Sequence, residues 1–138
     1  MRRNQLSSLL RKQLQHEERE TEAYAQKVRE TEHSVVRLIY AKLMKDSIHH
    51  ADVLKCAMAY LAKNEWGFAP VNESRGELLR LMDLEEQALR LFSSASTQVV
   101  DPHLKSLLTM LALDEEQHYA MLRYVLENFI DKKEEINA

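Results

Sequence analysis

Apolar residues recur every three or four positions along most of the 138-residue chain. This spacing is typical of amphipathic α-helices rather than of strands. Following the apolar face along the chain predicts four helices, over about residues 4–29, 34–62, 73–95 and 102–130. The clearest boundary is Asp101-Pro102, where an N-cap residue precedes a proline that suits the first helical position.

Composition supports an all-α class, because the chain has only two Gly and two Pro and is rich in strong helix formers. Its length fits a single domain over residues 1–138. A net charge of -3 with both signs mixed gives no reason to expect a nucleic-acid partner. No apolar stretch approaches the roughly 20 residues of a membrane span, and the amphipathic start does not resemble a signal peptide. We therefore expect a cytoplasmic protein.

The two halves of the chain repeat at an offset of 68 residues without a gap. The offset places Leu10 on Leu78, Glu17 on Glu85, Leu43 on Leu111, Asp46 on Asp114 and His50 on His118. Any two amphipathic hairpins share some leucines, but shared Glu and His are informative because such residues normally avoid an apolar face. The repeat predicts two related helical hairpins.

Each predicted helix carries a polar, metal-competent side chain within its apolar face, at about 100° of rotation per residue. These side chains are Glu17, His50, Glu85, Glu115 and His118. Their distances from the predicted turns agree, so we expect them in one layer near the middle of a bundle. Buried carboxylates and imidazoles are costly unless they are paired or bind a metal. The pattern therefore indicates a metal site.

Simpler interpretations remain open for each of these residues. Glu17 and Glu85 could lie at the edge of the face in solvated ion pairs, and their neighbours Glu18 and Glu86 are alternative ligands. The pair Glu115-x-x-His118 could lie on the surface. His50 alone would be an ordinary core histidine. The remaining histidines are expected to be exposed; these are His16, His33, His49 and His103.

Several motifs resemble those of the ferritin-like superfamily, most of all its bacterioferritin and rubrerythrin branches. The family pattern is Glu on the first and third helices and Glu-x-x-His on the second and fourth. The sequence Leu-Asp-Glu-Glu-Gln-His at 113–118 resembles the fourth-helix motif, and Asp-Ser-Ile-His-His-Ala-Asp at 46–52 resembles the second. Glu17 followed by Tyr24 matches the first-helix spacing. The resemblance covers nearly the whole chain and implies a four-helix bundle of two repeated hairpins.

The resemblance also implies a ligand set for two metal ions held between the helices. Glu17 and His50 would hold one metal, Glu85 and His118 would hold the other, and Glu115 would bridge them. Iron is the metal that the family implies, with zinc or manganese as alternatives. Such iron pairs react with O₂ or peroxide, which implies a ferroxidase or peroxidase type of activity and an electron donor that the sequence does not identify.

The chain departs from the family pattern on the second helix. Ser47 stands where the family has its second bridging Glu, and a hydroxyl is a poor ligand for iron. Asp46, one position earlier, would have to substitute. Ile48 stands where bacterioferritins carry the haem-binding methionine, so no haem is expected. Two other functions stay open: a non-enzymatic ferritin-like scaffold that holds one metal or none, and a helical interaction domain unrelated to ferritins.

The short connection between the second and third helices indicates a dimer. In the family topology this connection must run back along the bundle, but Lys63–Asn72 offers only ten residues, roughly 35 Å when extended. A homodimer, either hairpin-swapped or side by side, relieves the strain and would bury Trp66 and Phe68 at its junction. An up-down-up-down monomer is the alternative, since a short link also permits it.

Overall fold

A computed structural model describes residues 2–64 and 71–131 of the chain. The described residues form four α-helices and no strand, which confirms the all-α prediction. The helices are α1 Arg3–Glu30, α2 Ser34–Lys63, α3 Arg75–Gln98 and α4 Pro102–Val125. A π-helical segment, Leu126–Asp131, continues α4. All four predicted helices are present, with boundaries within a few residues of those expected.

Side-chain caps fix the starts of α2 and α4. Asp101 accepts a hydrogen bond of 2.8 Å from the Leu104 amide, and Pro102 occupies the first turn, which confirms the predicted start of α4. His33 is exposed as predicted, but its imidazole Nδ1 also accepts from the Val36 amide at 3.4 Å and caps α2. Each cap satisfies an amide that the helix itself leaves unpaired.

The chain divides into two compact units, Met1–Phe68 and Ala69–Ala138. Within the first unit α1 packs against α2, and within the second α3 packs against α4. We call them the N-terminal hairpin and the C-terminal hairpin. The division falls at the offset of the internal repeat, so each repeat is one hairpin. A single domain over 1–138 stays a prediction.

Contacts near both ends of the N-terminal hairpin set its antiparallel register. At one end, the Arg3 guanidinium donates to the Leu61 carbonyl at 3.2 Å and to Asn64 Oδ1 at 2.7 Å. Towards the other end, the rings of Tyr24 and Tyr40 lie 6.2 Å apart between centroids. The middle of α1 is therefore held opposite the middle of α2.

The C-terminal hairpin has an apolar core at the end where α3 begins and α4 ends. Its buried members are Leu78, Met82, Leu126 and Ile130. An ion pair between Arg75 and Asp131 lies at the same end. Burial of these side chains is the main favourable term that holds the two helices together here.

The predicted fourth helix has the expected extent but changes its hydrogen bonding near the end. From Leu126 to Asp131 the chain is π-helical rather than α-helical. The side-chain amide of Asn128 donates to the Tyr124 carbonyl at 3.0 Å, which gives a partner to a carbonyl near this change of pitch.

None of the described helices is long and apolar enough to cross a membrane. Trp66 and Phe68, which the sequence suggests for a dimer junction, lie outside the described residues.

Candidate metal centre

Three potential ligands meet in the C-terminal hairpin. His118 Nδ1 lies 3.3 Å from a carboxylate oxygen of Glu85 and 3.6 Å from one of Glu115. One ligand atom from each residue lies within 4.8 Å of the other two, and no other His, Cys, Asp or Glu group in residues 2–64 and 71–131 does this. We call this group the triplet. Glu86, the alternative to Glu85, instead pairs with Arg90 at 2.6 Å.

Helix geometry explains why the triplet forms. Glu115 and His118 are three residues apart on α4, so their side chains lie on the same side of the helix, one turn apart. The packing of α3 against α4 then brings Glu85 towards His118. Tyr119 and Leu122 pack against the apolar core on the neighbouring turn. The triplet therefore lies at the edge of that core, where water competes less for the carboxylates than at an open surface.

The N-terminal hairpin repeats part of this arrangement. His50 Nδ1 lies 3.5 Å from Glu17 Oε1, and the 68-residue offset relates this pair to His118 and Glu85. Glu17 is only 7% exposed, which sets it apart from its neighbour Glu18, which is exposed. The Gln13 side-chain amide also donates to Oε1 at 3.2 Å. The other oxygen, Oε2, is buried without a hydrogen-bond partner.

These residues fit a bound divalent cation. A buried polar atom without a partner costs about 1–3 kcal/mol, and more when its group is charged. A metal ion at Glu17 Oε2 would remove this cost. Carboxylates with imidazole form the donor set used for iron, manganese and zinc.

Ser47 and Asp46, the second-helix positions where the chain departs from the family pattern, both contact other polar side chains. Ser47 is 3% exposed, and its hydroxyl donates to Glu20 Oε2 at 3.3 Å. The other oxygen of Glu20 lies 2.8 Å from His16 Nε2. Asp46, the expected substitute ligand, accepts from Lys42 at 3.0 Å, and within the described residues it joins no group of three ligands.

The structure therefore gathers five of the six candidate ligands in two groups, one in each hairpin: Glu17 with His50, and Glu85 with Glu115 and His118. The His50 and His118 side chains are 57% and 50% exposed. The reason is rotation about the helix. The buried positions are Ser47 and Ala51 on α2 and Ala112 on α4, about 60–120° around from the imidazoles.

Glu20 is the residue that sequence reasoning missed. The hairpin register carries the signal, because a pairing of Glu17 with His50 in antiparallel helices also pairs Glu20 with Ser47. The family pattern places this ligand on α2, whereas Glu20 lies opposite Ser47 on α1.

Comparisons with protein-family models, with curated proteins and with solved structures find no match to this chain. The resemblance to ferritin-like proteins rests on the sequence motifs quoted above.

Proposed function

We propose that this chain is a ferritin-like metal-binding protein that binds iron at carboxylate and histidine ligands and reacts it with O₂ or peroxide. The triplet in the C-terminal hairpin is the observation that carries this proposal. A pair of iron(II) ions, when bound, would supply the two electrons that these oxidants accept. The proposal therefore calls for metal ligands in both hairpins, and the candidates are the triplet in one and Glu17 with His50 in the other.

The residues of the triplet have distinct roles in this proposal. Glu85 and Glu115 supply two negative charges against one divalent ion, and His118 supplies a neutral nitrogen. Three protein ligands leave coordination positions for water or an oxidant, as in other catalytic metal sites. The half-exposed imidazole lies on the open side of the hairpin, where such a molecule can enter.

Fe(II) titration under anaerobic conditions, followed by admission of air, tests the proposal. We expect stoichiometric binding by calorimetry and then a rise in near-ultraviolet absorbance. The double variant Glu115→Ala/His118→Ala should lose the metal bound by the triplet and reduce the absorbance change. The matched control, Glu116→Ala/His103→Ala, removes an exposed Glu and an exposed His from the same helix. Absence of Fe(II) binding by the wild-type chain would contradict the proposal.

A non-enzymatic scaffold is the second candidate function. Large apolar side chains are exposed on all four helices, among them Leu9, Leu38, Leu91 and Tyr124. Exposed apolar surface of this kind often marks a site of protein association. Fe(II) binding without any oxidation in air would favour this candidate over the first.

We also propose a homodimer. The exposed apolar residues in both hairpins support it, since association would remove them from water.

A further inference from the structure

The position of Glu20 bears on how the N-terminal hairpin could complete a metal site without a Glu at position 47. Glu20 lies one turn beyond Glu17 on α1, and its carboxylate accepts a hydrogen bond from Ser47 across the hairpin. Residues three apart on a helix are neighbours on its surface. Glu20 and Ser47 therefore face each other across the hairpin, one turn away from the pair formed by Glu17 and His50.

The internal repeat shows what the equivalent position holds in the other hairpin. The 68-residue offset relates Glu20 to Ala88 and Ser47 to Glu115. In the C-terminal hairpin the carboxylate comes from the second helix and the small side chain from the first. In the N-terminal hairpin the two are exchanged. Each hairpin thus keeps one carboxylate and one small side chain at this position.

We propose that Glu20 takes the ligand position that Ser47 leaves empty, and that Glu17, Glu20 and His50 bind a second divalent metal ion. This inference rests on the proposed function, because it assigns ligands to the second half of the same kind of site. Glu20 is absent from the ligand pattern that the family resemblance implies, so the geometry of the hairpin and not the motif assigns it.

Glu17 provides an independent observation that a cation belongs here. Its carboxylate is more than nine-tenths buried, yet Oε2 has no hydrogen-bond partner. The most buried residues described in this hairpin are Glu17, Ser47 and Ala51, so its centre is polar rather than a packed apolar core. A bound metal ion would give the orphaned oxygen a partner and would balance the charges of Glu17 and Glu20.

To bind a metal ion, Glu20 would have to give up its contact with His16. Its two oxygens are now held by His16 and Ser47, and it does not yet form a close triplet with Glu17 and His50. The His16 side chain is largely exposed, so its contact with Glu20 is weak and a divalent ion can displace it. The Ser47 hydroxyl would remain as a donor that orients the Glu20 carboxylate, as outer groups commonly orient metal ligands.

Zn(II) calorimetry on the full-length chain tests the assignment. The wild type should bind two Zn(II) ions, and Glu20→Gln should lose one of them or bind it at least about tenfold more weakly. Glu22→Gln is the matched control, because it removes the same charge from an exposed position two residues further along α1. Equal Zn(II) binding by Glu20→Gln and the control would overturn the assignment.

Moving the carboxylate from position 20 on α1 to position 47 on α2 gives a sharper test. Glu20→Ala should lose the second Zn(II), and Glu20→Ala/Ser47→Glu should regain it, because the double variant copies the arrangement of Ala88 and Glu115. A purely structural role of Glu20 predicts no such rescue. Circular dichroism should show the same helix content in every variant. A double variant that binds no more Zn(II) than Glu20→Ala would overturn the proposal.

The same titrations separate this inference from the proposed function. One Zn(II) per wild-type chain that is lost in Glu115→Ala/His118→Ala but kept in Glu20→Gln would overturn the role of Glu20 and leave the triplet intact. No Zn(II) or Fe(II) bound by the wild type would overturn both.

Discussion

Glu17 and His50 contact each other across the N-terminal hairpin at 3.5 Å, although one side chain is almost fully buried and the other is more than half exposed. The contact recurs 68 residues later between Glu85 and His118 at 3.3 Å. Both imidazoles use Nδ1 towards the carboxylate. In each hairpin, therefore, a carboxylate on the first helix contacts a half-exposed imidazole on the second.

The first prediction concerns the unpartnered oxygen of Glu17. Glu17→Gln keeps the shape of the side chain but removes a buried charge, so the metal-free protein should gain about 1 kcal/mol in free energy of unfolding. The variant should also lose the metal-dependent stabilisation of this hairpin, which is about 2.7 kcal/mol for one site at a metal concentration 100 times Kd. Urea unfolding with a chelator and with Zn(II) measures both effects.

Glu18→Gln is the control for this prediction, because Glu18 is adjacent, exposed and equally charged. Its unfolding free energy should change by less than about 0.5 kcal/mol under both conditions. A metal-free Glu17→Gln variant that is less stable than the wild type would contradict the view that the unpartnered Oε2 makes this buried carboxylate costly.

The second prediction separates two adjacent carboxylates on α3. Glu85→Gln should weaken Zn(II) binding at the triplet about tenfold, or about 1.4 kcal/mol, because it removes one of two negative charges. Glu86→Gln should leave binding unchanged, since Glu86 pairs with Arg90 on its own helix. Calorimetric titration of the two variants measures the difference. Equal losses in both would show that net charge, and not the triplet, determines affinity.

Much of this structure follows from the sequence. The helical pattern and the Asp101-Pro102 cap predict the four helices, and the family resemblance pairs Glu17 with His50 and Glu85 with His118, which lie in contact. These features depend on residues within one helix or on a repeat that keeps its register. The information within one helix is local, and local patterns predict helices reliably.

Other features depended on contacts between helices, which the sequence pattern did not specify. α2 turns Ser47 and Ala51 towards its partner helix, and α4 turns Ala112, because small side chains let the helices pack closely. His50 and His118 therefore lie to the side of each contact and are half exposed. The hydrogen bond from Ser47 to Glu20 is likewise a contact between two helices. A family pattern that places ligands helix by helix does not specify such a contact.

A third prediction concerns the addition of a carboxylate opposite Glu20. In Ser47→Glu, two carboxylates would face each other across the hairpin, so the metal-free protein should lose about 1–2 kcal/mol of unfolding free energy. A divalent ion would offset this repulsion, and the increase in Tm on adding Zn(II) should therefore be larger than in the wild type. Ser47→Gln is the control, since it adds similar bulk without charge. Equal Tm increases in Ser47→Glu and Ser47→Gln would count against metal binding at this position.

The last prediction concerns assembly. Light scattering at micromolar concentration should give a mass twice that of one chain, because dimerisation would cover apolar side chains that are exposed in both hairpins, such as Leu38 and Leu113. A monomer mass would contradict the dimer. A long Gly/Ser insert after Gly67 then distinguishes the two arrangements, since the longer connection removes the strain that favours exchange of hairpins. A hairpin-swapped dimer should convert to monomers, whereas a side-by-side dimer should keep its mass, and an insert of equal length after Gln98, between α3 and α4, serves as the control.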